Sequence, residues 1–61
     1  MSSKTLFVKL VPEYKRLRNE RMYSELQVKA ILRAFARDLG CNWSELRLNE
    51  FIESVFDFDN E

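Results

Sequence analysis

Apolar positions keep a clear helical rhythm through the second half of the chain and lose it in the first. Val28, Ile31, Leu32, Phe35, Ala36 and Leu39 follow the i, i+3, i+4 spacing that lays one stripe along an α-helix. Ser24 and Gln27 stand where a capping box would satisfy the first free N–H groups of that helix. Gly40 follows as a residue suited to a left-handed C-terminal cap. The spacing predicts a helix over 24–39. Asn42 then reads as the next N-cap, with Glu45 three residues on. Leu48, Phe51, Ile52, Val55 and Phe56 form a second stripe with Trp43 near its start, predicting a helix over 43–56. Together these make a helical hairpin or corner across 24–56. Residues 57–61 read as an acidic tail that frays, with Phe58 able to pack.

The first 23 residues are less regular. Thr5 to Val11 is rich in β-branched and aromatic side chains and runs into Pro12. The residue before a proline is pushed toward extended backbone, so 1–11 reads as a strand or arm. A short helix capped by Ser2 or Ser3 is the alternative. A lone strand has no ladder partner, and its backbone groups would have to pair with a copy of the chain or with the sheet edge of a target. Pro12 and Glu13 suit the first turn of a helix over 12–22. Tyr14 and Leu17 share a face of it, but Arg18 to Arg21 are all polar and interrupt the stripe. The expected fold class is therefore mainly α, a short N-terminal strand or extended arm followed by two to three helices in one small domain.

Length changes the picture by limiting the core. A 61-residue chain makes one domain, and folding at this size buries only about 60% of the unfolded surface. Small domains commonly add disulfides, a metal or a second subunit. Cys41 is the only cysteine and there is no histidine, so a disulfide within the chain is excluded and a structural zinc site is not expected. Self-association remains, and a homodimer is expected. Phe7, Val28, Leu32, Phe35, Leu39, Trp43, Phe51, Ile52, Val55 and Phe56 are the candidate core or dimer residues. The run Leu6 to Val11 is too short for a signal peptide and Lys9 breaks it. No stretch approaches a membrane span. A lone cysteine suits a reducing compartment, so the expected location is cytoplasmic. Cys41 at the turn is expected to be inert, and Asn42-Trp43-Ser44 is read as an accidental glycosylation sequon.

Charge sums to zero but is unevenly placed. Residues 1–37 hold nine Lys and Arg against three Glu, a net +6, whereas residues 38–61 hold Arg47 against seven acids, a net −6. Such asymmetry points either to a nucleic-acid-facing end or to two complementary faces. Lys15, Arg16, Arg18 and Arg21 cluster between Tyr14 and Tyr23, an arrangement able to contact nucleic acid or a protein partner. Lys29, Arg33 and Arg37 recur every four residues. They form either a phosphate-contacting stripe or a solvated face pairing with Glu50, Glu53 and Asp57 on the next helix or a sister chain. Those three acids are in turn a candidate docking face. Without histidine, a phosphate loop or a Cys-x-x-Cys pair, the usual acid, base and nucleophile arrangements are missing, and no enzyme, cofactor or small-molecule substrate is expected.

Residues 24–54, SELQVKAILRAFARDLGCNWSELRLNEFIES, resemble the two helices of ribbon-helix-helix DNA-binding proteins. The likeness rests on Leu32, Phe35, Ala36, Leu39 and Gly40, then on Ser44, Glu45 and Leu46 opening the second helix. It implies a dimer whose paired strands enter the major groove. The strand would fall at Arg18 to Tyr23 with Asn19, Arg21 and Tyr23 toward DNA, and Asn42, Trp43 and Ser44 would lie near a phosphate. The chain departs from the family pattern at Glu20, on the inward face of that strand, and at Arg47, where an apolar residue is expected. Two functions follow as expectations: a small homodimeric regulator or adaptor that contacts a larger protein, or a dimeric DNA-binding transcriptional regulator.

Overall fold

Leu6, Leu10, Tyr14 and Leu17 decide the first third of the chain. Their spacing of four, four and three puts them on one side of a helix, and each is 2% exposed or less. In the computed structural model of the protein, which describes residues 2–20 and 22–59, they form the buried edge of helix α1, Ser3–Glu20. The expected strand or arm over 1–11 is thus corrected, and so is the helix beginning at Pro12. Strand propensity spans only about 1 kcal/mol, while burying a leucine-sized side chain is worth about 1.5–3 kcal/mol. Four such burials outweigh the β-branched composition of Thr5, Val8 and Val11. Met1, at the tip of the expected arm, lies outside the described residues.

The N-cap of α1 is Ser2, one of the two serines that the helical alternative named. Its Oγ accepts from the Thr5 N–H at 3.2 Å and its carbonyl from the Leu6 N–H at 3.0 Å. Pro12 lies in the middle of α1 and has no N–H for the Val8 carbonyl. Both residues are exposed, so that carbonyl can turn to water. Arg18, Asn19 and Glu20 close α1, and Met22 to Ser24 are irregular. Among the described residues there is no strand, and the ribbon expected at 18–23 does not form there; Arg21 lies outside them.

Helix α2, Glu25–Asp38, opens on the expected capping box: the Ser24 N–H donates to Gln27 Oε1 at 2.8 Å, and the Gln27 N–H donates to Ser24 Oγ at 3.2 Å. It closes on Gly40, whose φ of 95° is readily reached only without a Cβ. The Gly40 N–H reaches the Arg37 carbonyl at 3.0 Å and the Cys41 N–H reaches that of Ala36 at 3.1 Å, the paired bonds of a Schellman cap. This cap carries Cys41 inward, where it is buried with Ala36.

Helix α3, Glu45–Asp59, is capped by Ser44 rather than Asn42. Ser44 Oγ accepts from the Arg47 N–H at 3.2 Å, and Asn42 is exposed. Burial of Trp43, together with Arg37 holding the carbonyls of Cys41 and Trp43, keeps 41–43 out of the helix. At its other end α3 continues three residues beyond Phe56, because Phe58 and Asp59 both find partners on α1. The fraying expected over 57–61 is corrected for 57–59; residues 60 and 61 lie outside the described chain.

The three helices enclose one core. α1 supplies its leucines and Tyr14, α2 supplies Val28, Leu32 and Ala36, the link supplies Cys41 and Trp43, and α3 supplies Leu48, Ile52, Val55 and Phe56. Of the expected core residues, Phe7, Phe35, Leu39 and Phe51 are only half-buried at its edge. Among the described residues, no buried side-chain nitrogen or oxygen lacks a hydrogen-bond partner. With α1 satisfied internally, an unpaired strand no longer gives a reason for a second copy.

Candidate interaction surface

Two cations of α2 meet α3 and the third meets the link that leads into it. Lys29 Nζ lies 2.5 Å from Glu53 Oε1 and 5.2 Å from the centre of the Phe56 ring. Arg33 Nη1 donates to Asn49 Oδ1 at 3.0 Å. Arg37 Nη1 donates to the carbonyls of Cys41 at 3.0 Å and Trp43 at 2.6 Å. The four-residue spacing therefore sets all three along the flank of α2 that faces an antiparallel α3. The hydrogen bond from Lys29 to Glu53 raises the ammonium pKa above its ordinary value, against a smaller desolvation effect. Of the three expected acidic partners, Glu53 alone is engaged this way. Glu50 and Asp57 are exposed and make no ion pair among the described residues.

The cluster near the end of α1 is also partly engaged. Arg16 pairs with Glu13 one turn before it and with Glu20 one turn after, at 2.8 Å for the latter. The Glu13 contact is the larger cause of the raised Arg16 pKa. The Arg18 guanidinium stands 6.0 Å from the Tyr14 ring centre and 5.8 Å from that of Phe56. Lys15 is exposed and makes no ion pair among the described residues, and Arg21 lies outside them. Tyr14, buried beneath Arg18, donates its hydroxyl to Asp59 Oδ2 at 3.0 Å. Burial first, then that hydrogen bond and the charge of Asp59, push the Tyr14 pKa up, while Arg18 pulls the other way.

A row of aromatic rings crosses from α3 to α1. Trp43 meets Phe51 at 5.3 Å between centroids, Phe51 meets Phe7 at 6.4 Å, and Phe7 meets Phe58 at 5.3 Å. All three contacts are edge-to-face, the geometry favoured by ring quadrupoles. The Arg47 guanidinium closes the Trp43 end at 3.9 Å from the ring centre. The other end is open, with Phe58 56% exposed. Beside Phe7, Val8 is 60% exposed, and Val11 is half-buried one turn further along α1. Phe7, Val11, Phe51 and Phe58 thus line an apolar face at the α1–α3 groove, with Val8 on the outer side of α1 beside it. Single exposed apolar side chains are ordinary, whereas adjoining ones mark contact surfaces.

Sequence reasoning found Phe7 and Phe51 but not Val11 or Phe58 as members of this face. The signal was present in the helical spacing of Phe51 to Phe58 and of Phe7 to Val11, and was hidden by reading 5–11 as a strand. The charges around the face differ by helix. α1 carries five Lys and Arg against two Glu, while α3 carries Arg47 against five acids. Among the described residues there is no enclosed pocket, no group of three metal-ligating side chains, and no helix long and apolar enough to cross a membrane. Comparison of the chain with protein-family models, with curated proteins and with solved structures gives no match.

Proposed function

We propose that this chain is a non-catalytic interaction protein, a small regulator or adaptor, and that it contacts its protein partner through the α1–α3 face. The observation that carries the reading is the aromatic row, left open at Phe58 on a body in which, among the described residues, every buried side-chain nitrogen and oxygen has a partner. Water gains when such a face is covered, at about 25 cal/mol per Å² of apolar surface removed. A DNA-binding regulator is the less favoured reading. Lys29 and Arg16 are already paired with carboxylates, and Arg33 and Arg37 are each held through Nη1 against Asn49 or the link carbonyls.

The test is site-directed photo-cross-linking in the producing cell. Phe58→p-benzoylphenylalanine places the probe on the face, and Leu26→p-benzoylphenylalanine places it on another exposed site, in the first turn of α2. Protein adducts from position 58 and few from position 26 are expected. Equal yields from both sites, or adducts to nucleic acid alone, would overturn the reading.

A further inference from the structure

We infer that the α1–α3 face receives a second copy of this chain, related to the first by a two-fold axis running along the groove. This rests on the interaction reading above and adds the identity and orientation of the partner. The face is divided lengthwise by charge. Along α1, Lys4, Val8 and Lys15 share one strip, because separations of four and eleven residues return to nearly the same side of a helix. Along α3, Glu50 and Asp57 share the matching outer strip, seven residues apart. All four charged residues are exposed, and none makes an ion pair among the described residues. The apolar row lies between the strips.

A two-fold axis along the groove exchanges left for right. It lays the basic strip of each copy over the acidic strip of the other and sets apolar row on apolar row. An axis across the groove would set lysine on lysine and carboxylate on carboxylate, so the charges select one orientation. A foreign protein would need both strips in mirrored order, and a copy has them by construction. The chain carries no net charge, so two copies approach without long-range repulsion. A standard interface takes about 800 Å² from each partner. That is roughly a fifth of the 4275 Å² surface, the scale of one side of this body.

Sedimentation equilibrium of the purified chain tests this, with far-UV circular dichroism confirming the fold of each variant. A dimer that weakens as salt is raised is expected. Phe58→Glu should weaken it by about thirtyfold or more. Lys15→Glu and Asp57→Lys should each weaken it by about fivefold, since each breaks two symmetric contacts. Mixing these two variants should restore association, because the mixed dimer pairs Glu with Lys at one contact and keeps Lys with Asp at the other. A monomer at every concentration, a dimer indifferent to Phe58→Glu, or no recovery on mixing would each overturn the inference. If the purified chain is monomeric while position 58 still cross-links to a different protein, the copy is wrong and the interaction reading stands. Absence of both results removes both.

Discussion

Tyr14 is the residue where burial and polar chemistry meet. Its ring packs edge-to-face on Phe56 at 4.8 Å and its hydroxyl reaches Asp59, forty-five residues away in the chain. Removing the hydroxyl in Tyr14→Phe should cost about 0.5–1.5 kcal/mol at neutral pH, the net worth of one hydrogen bond. The pH dependence has a defined sign. The phenol pKa is raised in the fold, by burial and then by Asp59, above the ordinary value of 10.0 that it recovers on unfolding. Folded chains therefore hold the proton more tightly, and this contribution is complete below pH about 10 and lost as pH climbs through the folded-state value. Urea unfolding of both proteins at pH 7 and near pH 10.5 should show the gap between them narrowing at the higher pH. A gap that widens or stays constant would separate the hydroxyl from the Asp59 contact. No local rule in the sequence announces this pair. The Ser24–Gln27 box and Gly40 were legible, because a cap is decided within a few residues of itself.

At the scale of the element, α1 shows how a local signal can mislead. Thr5, Val8 and Val11 carry strand preference, and Pro12 interrupts the run in the place where a strand would end. The competing signal, Leu6, Leu10, Tyr14 and Leu17, passes straight through the proline, and the buried stripe wins. α2 and α3 were legible because no breaker interrupts their stripes. For α3, the boundary errors at both ends come from contacts with residues elsewhere: Arg37 on the link carbonyls at one end, Phe7 and Tyr14 at the other. Pro12 thus sits in α1 at a cost, and Pro12→Ala supplies the N–H that the Val8 carbonyl lacks. The substitution should raise stability by about 1–3 kcal/mol, the helix-interior difference between the two residues. Thermal unfolding reads the gain, and hydrogen exchange should find the new amide protected. If residues 5–11 were extended, the same change would bring neither gain nor protection.

For the whole molecule, the third helix of the bundle is what turns a hairpin into a closed core. α2 and α3 share one seam, stitched by Lys29, Arg33 and Arg37, but Val28, Leu32, Ile52 and Val55 also need a lid, and α1 provides it. The charge asymmetry legible in the sequence takes part of its meaning here. Basic and acidic halves fold against one another at the Lys29–Glu53 contact, while the outer strips of α1 and α3 keep opposite signs side by side. The two groups of cations on α1 and α2 were legible as sets of charges but not as sets of contacts, since spacing alone does not say which flank of a helix meets its neighbour. The decisive quantity is how much of the stability α1 carries. Leu10 is fully buried at the middle of its stripe, and Leu10→Ala should cost about 2–5 kcal/mol through lost transfer energy and the cavity left behind. Native domains have only about 5–15 kcal/mol in total, and one this small belongs near the lower end. Leu10→Ala should therefore shift the urea midpoint far down or abolish the cooperative transition. Lys9→Ala, at an exposed position of the same helix away from the α1–α3 face, should stay within about 0.5 kcal/mol of the parent. An N-terminal arm lying outside the core would give a different result, with neither substitution moving the transition, so the contrast between positions 9 and 10 measures directly whether the first helix belongs to the fold.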